Sequence, residues 1–262
     1  MISSPTLKKI LLLVLLSAVL LVLNELAPKY TEHNTLLYSE DFETMSLGET
    51  WFDQKLRVIS ATELRTYDHI IEHSYIPSSS GTPYVGRRFN LSHPVSEATL
   101  TFDMKLDKDF EFIKGGKMHG LAGGTATTGC RPVDANGWSV RMMWREKGRP
   151  VLYIYHQDRK ARCGDDTPVF SDFNFKPETW YKISLYVKLN SAIGSRDGIV
   201  SLYIDETKQA EANGLNLTGN LNKKIEYFLY SSFYGGNDPS WSPSKTTIAF
   251  YDNFEVNEGL HP

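Results

Sequence analysis

Lys117, Ser139, Arg141, Tyr153 and Tyr155 offer two cations, a hydroxyl and two phenols at spacings that strands can bring together. That set suits removal of a proton beside a carboxylate. The C5 proton of a uronic acid is weakly acidic because its neighbour is already ionised, and a cation on that carboxylate stabilises the enolate-like charge that develops. Arginine meets a carboxylate with a planar fork. A tyrosine, with an unperturbed pKa of about 10, becomes a competent base when cations favour its phenolate, and as a phenol it can protonate the departing O4. These groups point to β-elimination on a polyuronate, and no hydrolytic pair of carboxylates stands out beside them.

The segment GWSVRMMWREKGRPVLYIY, residues 137–155, reads as two strands joined at Glu146-Lys147-Gly148. A three-residue hairpin loop with Gly148 in the left-handed position makes Arg145 face Arg149. Counting outward, Arg141 opposes Tyr153 and Ser139 opposes Tyr155, so all four stand on one sheet face. A two-residue turn would send the tyrosines to the other face. The residues do not say which tyrosine moves the proton. Tyr155 is favoured because Ser139, opposite it, could hydrogen-bond its phenolate.

Lys117 lies in KGGKMHGLAGG, residues 114–124. Its glycines permit sharp bends and close backbone approach, which could carry the lysine over a neighbouring sheet face. Composition alone favours a solvated flexible loop. A phosphate loop is disfavoured, since no Gly-Lys-Ser/Thr and no strand-to-helix context follows. Lys114 and Arg145 either extend the positive cleft or are solvated charges, the default for such side chains. Trp241, after Gly235-Gly236, is either a platform for the apolar face of a sugar or a core or edge aromatic. Trp138 and Trp144 alternate away from Ser139 and Arg141, toward the core. Asp252-Asn253 reads as a hydrogen-bonding device at a strand end. Asp165-Asp166 is weak evidence for calcium, which takes about 6–8 oxygens. No catalytic metal and no cofactor are expected.

Short alternating runs at 97–104, 138–144, 151–156, 180–189, 198–204, 226–234 and 246–256 carry Val, Ile, Tyr, Phe and Thr between Gly, Pro, Asn and Asp. They predict an all-β chain of antiparallel strands, a sandwich or jelly roll. The composition is globular, at 41% hydrophobic and 23% charged over 262 residues, and the net charge of −3 shows no nucleic-acid footprint. Residues 10–23, ILLLVLLSAVLLVL after Lys8-Lys9, read as the core of a secretory signal, or as an uncleaved membrane anchor because no small-x-small cleavage site follows. The expected organisation is a signal or anchor over 1–27, a linker over 28–36 and one domain over 37–262, secreted or extracytoplasmic and monomeric. In such a compartment the two cysteines, Cys130 and Cys163, pair most simply as a disulfide between the loop before Ser139 and the loop after Tyr155. Asn90-Leu91-Ser92 and Asn216-Leu217-Thr218 are glycosylation sequons in a eukaryotic host only.

The segments KGGKMHGLAGG, GWSVRMMWR, YIYH, FYGGNDPSW and FYDNFEV, in this order, resemble polysaccharide lyase family 14 over most of residues 100–256. The resemblance implies an all-β enzyme, an antiparallel β-jelly roll of the concanavalin A-like sandwich type, acting on an acidic polysaccharide, alginate in the family's known members. The family's Lys in the glycine-rich segment, Ser-x-Arg on one strand and Tyr-x-Tyr on the next fall on Lys117, Ser139, Arg141, Tyr153 and Tyr155. His119 departs from the pattern, standing where proline is expected, and there it either adds a proton donor at the substrate or alters the loop. Two alternatives accompany the alginate reading: a lyase for another uronate polymer such as glucuronan, and a lectin-like protein without turnover. Binding alone would not need two tyrosines beside Arg141 and Lys117.

Overall fold

Alternation of apolar with polar residues lets a strand bury one face and solvate the other, and two such sheets pack face to face. The computed structural model describes residues 35–61 and 68–262. The signal or anchor over 1–27 lies outside the described residues, as does most of the linker. The strands are, in chain order, β1 (Leu36–Glu40), β2 (Leu56–Ala61), β3 (Asp68–Tyr75), β4 (Val85–Val95), β5 (Glu97–Leu106), β6 (Gly115–Gly124) and β7 (Gly137–Arg145). There follow β8 (Pro150–Tyr155), β9 (Asp165–Pro168), β10 (Trp180–Lys188), β11 (Gly198–Ile204), β12 (Thr207–Leu215), β13 (Ile225–Tyr234) and β14 (Thr247–Glu258).

One sheet runs β12-β11-β10-β5-β14-β3-β2, with β1 also pairing β14; the other runs β4-β13-β6-β7-β8-β9. Every pairing is antiparallel, for example β6 with β7 and β7 with β8. The architecture is the antiparallel jelly roll expected. Between the sheets, Trp138, Val140, Met142, Trp144, Leu152, Ile154 and Phe228 meet Leu100, Phe102, Met104, Leu185, Leu202 and Phe254. Trp138 and Trp144 are core residues as their parity required, and their indole N–H groups donate to the Lys223 and Phe112 carbonyls at 2.9 and 3.0 Å. Asn253 sits at φ 50°, where the pairing of β14 with β5 is bulged, and its amide donates to Asp103.

The glycine-rich segment differs from its compositional reading. It forms β6, a strand between β13 and β7, rather than a solvated loop. Glycine is required because the neighbours come close: a Cβ on Gly116 would lie 2.2 Å from the Trp144 ring. The pairing with β7 is irregular between Lys117 and Gly120, and Met118 and His119 within this interval are both fully buried. His119, expected at the substrate, lies instead in the inter-sheet core, its ring 4.1 Å from Tyr230, 4.6 Å from Tyr251 and 5.0 Å from Phe102.

The cysteines are bonded, Cys130 to Cys163, joining the β6–β7 loop to the β8–β9 loop. Such a crosslink stabilises by about 2–4 kcal/mol, chiefly by restricting the unfolded chain.

His73 shares a 2.9 Å hydrogen bond with Tyr230 Oη and stacks on Tyr75. Burial lowers its pKa to about 3 and holds His119 well below the ordinary imidazole value. Both are neutral in the native state, whereas in the unfolded chain they take up protons below about pH 6.5. Their contribution is therefore full above that pH and is lost as the pH falls toward the native values, by up to about 1.4 kcal/mol per pH unit for each histidine. His119→Leu should remove its share, so urea midpoints at about pH 7.5 and about pH 5 should differ less in the variant than in the parent. Equal differences would show that His119 does not contribute to acid sensitivity.

Candidate active site

Hairpin geometry assembles the first part of the site. Lys147 and Gly148 take left-handed backbone at φ 61° and 81°, and the Arg145 N–H donates to the Arg149 carbonyl at 2.7 Å. Register follows: Arg141 faces Tyr153 and Ser139 faces Tyr155. The intervening Val140, Met142, Leu152 and Ile154 enter the core, so these four side chains occupy the face turned away from the second sheet. Lys117 joins them from β6, opposite Met143, and Ser231 and Phe233 from β13.

Arg141 is only 3% exposed. Its Nη1 donates to Ser231 Oγ at 3.2 Å, while its buried Nε has no partner. The guanidinium carbon lies 5.4 Å from the Tyr153 ring centre and 5.8 Å from that of Tyr155. Lys117 Nζ lies 5.7 Å from the Tyr153 ring and 5.3 Å from Phe233, against Gly235, which has no side chain to obstruct it. Among the described residues no carboxylate pairs with either cation. The phenol oxygens of Tyr153 and Tyr155 are 3.4 Å apart. Tyr153 Oη accepts the Gly164 N–H at 2.9 Å, and Tyr155 Oη accepts the Cys130 N–H at 3.0 Å. Ser139 does not hydrogen-bond Tyr155; its hydroxyl donates to the Thr127 carbonyl at 2.6 Å and so holds the β6–β7 loop.

These neighbours set the charges. Burial, reinforced by the like charges of Arg141 and Arg145, lowers the Lys117 pKa to about 8. Tyr153 is pushed up to about 12 by burial and by its hydrogen bond with Tyr155, with the Gly164 N–H and Arg141 pulling the other way. Tyr153 is therefore a phenol at neutral pH, able to donate.

Of the other expected residues, Arg145 is tied to Asp166, Nε to Oδ2 at 3.0 Å. Lys114 and Trp241 form the end of the face beyond Lys117: Trp241 packs over Gly236, and Lys114 Nζ lies 5.7 Å from its ring and donates to Ser240. Asp165 accepts from the Ala161 N–H and shares a hydrogen bond with His156, while Asp166 turns to Arg145, so the two carboxylates do not converge. Four contributors escaped the sequence reading: Ser231, Phe233, Arg159 and the 58%-exposed Tyr84, whose ring meets Phe233 edge-on at 5.2 Å. Strand parity puts Ser231 and Phe233 on one face of β13, but nothing local sets β13 beside β6.

The sequence matches the model of the family Polysaccharide lyase 14 over residues 65–254. The chain belongs to polysaccharide lyase family 14. The match takes in all the residues just described. Solved structures share this lyase's fold. The alginate lyase Aly36B superposes with a TM-score of 0.70 at 21% identity, covering 87% of this chain and 99% of its own. An alginate lyase from Aplysia kurodai gives 0.68 at 20%, covering 87% and 100%. An endo-β-1,4-glucuronan lyase from Trichoderma reesei gives 0.60 at 13%, covering 86% and 96%. No curated protein sequence matches.

Lys117 carries its charge below about pH 8 and loses it above. Affinity of this lyase for an anionic oligosaccharide, measured by calorimetry, should therefore weaken as the pH rises through about 8. Lys117→Arg, with a charge that does not titrate in this range, should flatten the decline. A parallel decline in parent and variant would remove Lys117 from the binding site.

Proposed function

We propose that this protein cleaves a polyuronate, alginate first, by β-elimination, leaving an unsaturated uronate at the new non-reducing end. The observation that carries the reading is Arg141, buried with an unpartnered Nε and no carboxylate against it, beside a second cation and two phenols. A substrate carboxylate is the partner such a pair calls for. Similarity to enzymes named as alginate lyases supports alginate as the polymer.

In the proposed reaction Arg141 and Lys117 take the uronate carboxylate and stabilise the charge that spreads onto it as C5 loses its proton. Tyr155, as phenolate, accepts that proton. The C5–H electrons form the C4–C5 double bond, the C4–O4 bond breaks with its electrons on O4, and a phenol at the pair protonates O4. Tyr153 is held protonated and 3.4 Å from Tyr155, so it can donate or orient the sugar. Both oxygens serve one face, which suits a uronate whose C5 proton and O4 project to the same side, as in mannuronate. Glucuronate shares that C4 and C5 configuration, and the fold's likeness to a glucuronan lyase favours it as the second reading. Lys114 and Trp241 extend the binding face on this proposal. We place the enzyme outside the cytoplasm as a monomer, led or anchored by residues 10–23, where its disulfide is stable.

Purified protein should raise the ultraviolet absorbance of unsaturated uronate ends on mannuronate-rich alginate, with less on guluronate-rich alginate; absence of that signal on alginate and glucuronan alike would reject the lyase reading. Tyr155→Phe keeps the ring, so binding should survive while turnover falls by about 10²- to 10⁴-fold. Arg141→Ala should damage both KM and kcat. Tyr155→Phe with near-parental turnover would transfer the base to another residue. Added salt should raise KM despite the net negative charge of the chain, because attraction is local to Lys117 and Arg141 and is screened over about 8 Å at physiological ionic strength.

A further inference from the structure

Both phenol oxygens of the tyrosine pair accept a backbone N–H, and both donors sit at the disulfide. Cys130 itself donates to Tyr155, and Gly164, next to Cys163, donates to Tyr153. Neither donor belongs to the hairpin that carries the tyrosines. Gly164 approaches them so closely that a Cβ there would lie 2.8 Å from the Tyr153 ring and 2.9 Å from that of Tyr155. From the same β8–β9 loop, the guanidinium carbon of Arg159 stands 4.6 Å from the Tyr155 ring centre. Arg159 is fixed there by donating to the Ala161 carbonyl at 3.1 Å and to the Arg131 carbonyl at 2.6 Å, and Arg131 adjoins Cys130. Arg159 thus bridges the same two loops that the disulfide joins.

We propose that the disulfide-linked loops position the tyrosine pair for proton transfer, the N–H groups of Cys130 and Gly164 anchoring the two phenol oxygens and Arg159 stabilising negative charge on Tyr155. A hydrogen bond to an anionic oxygen is about twice as strong as one to a neutral phenol, so a held N–H favours phenolate over phenol. A cation on the ring acts in the same direction. The charged and titratable groups facing the pair are Arg141 from β7, Lys117 from β6, Arg159 from the loop and the two phenols themselves. Asp166, beside Tyr153 in the β8–β9 pairing, is engaged by Arg145. Arg141 and Lys117 are held by strands whatever the state of the loops. The N–H donors and Arg159 lie on the two loops that the crosslink joins. Arg159 and the two N–H donors are positioning groups on this account, and the catalytic role of the tyrosines rests on the lyase reading above.

Two measurements test it. In the intact protein without substrate, tyrosine labelled with ¹³C at ζ and assigned through Tyr153→Phe and Tyr155→Phe reports ionisation of each phenol. Arg159→Gln and Gly164→Ala should move ionisation of Tyr155 and of Tyr153, respectively, to higher pH, and Arg159→Lys should restore part of the shift. In turnover, the acidic limb of kcat/KM for Arg159→Gln should move up by about one pH unit, a loss of about tenfold at neutral pH that is recovered at higher pH. Reduction of the disulfide should do the same while the protein stays folded by near-ultraviolet circular dichroism; if reduction unfolds it, Arg159→Gln and Gly164→Ala decide. Unmoved titrations in both variants would overturn the proposal. So would a loss confined to KM with no pH shift, which would make Arg159 a substrate contact. If the parent eliminates no polyuronate, the lyase reading fails while the substrate-free titration still decides whether the loops stabilise phenolate.

Discussion

A guanidinium buried without a carboxylate is the constraint around which this face is built. Removing an ion from water costs several kcal/mol even after relaxation. Arg141 meets that cost with Ser231 and the faces of two tyrosine rings rather than with an acid. Each cation–π contact returns about 0.5–2 kcal/mol, which holds the cation without neutralising it. Lys117, a second positive charge, is kept nearby although Arg141 and burial both disfavour its protonated form. An acid at this place would remove the penalty and also fill the position of the substrate carboxylate.

The frame that keeps this arrangement in place is ordinary sheet geometry. Because side chains alternate faces, the same strands that send Trp138, Val140, Met142 and Trp144 into the core present Ser139 and Arg141 to the outside. A slip of one residue in β7 would put Arg141 into the inter-sheet core, and one in β8 would put Tyr153 and Tyr155 there, so the core apolar residues enforce the register of the site. The turn at Lys147-Gly148 supplies the matching geometry. Both faces of β7 and β8 are buried, one by the second sheet and the other by the site's own loops, which leaves little freedom for the tyrosines.

The interior also holds buried polar side chains. Between the sheets His73 bonds Tyr230, and separately Tyr75, Ser232 and Tyr251 bond one another, with the His119 ring against Tyr230 and Tyr251. His119 stands two residues from Lys117 and yet belongs to this interior, because the irregular stretch of β6 turns it inward. Proximity in sequence to a functional lysine therefore does not place a residue in the site. At this position the chain buries a neutral imidazole.

Periodicity was enough to determine the all-β class, the strands with clean alternation and, through the parity across Glu146-Lys147-Gly148, the shared face of Ser139, Arg141, Tyr153 and Tyr155. Those are local properties, decided by a period of two and a turn. The polar edge strands β4 and β12 carry too little apolar alternation to be read, and β6 is hidden by its glycines, whose reason is the Trp144 ring that only packing brings over them. Tertiary structure alone decided that β13 lies beside β6, that Ser231 receives Arg141, that Ser139 holds a loop instead of a phenolate, and that Cys130, Gly164 and Arg159 surround the tyrosines. The physical reason is range. Strand order and loop closure depend on which faces across the whole chain bury each other, and no window of residues contains that information.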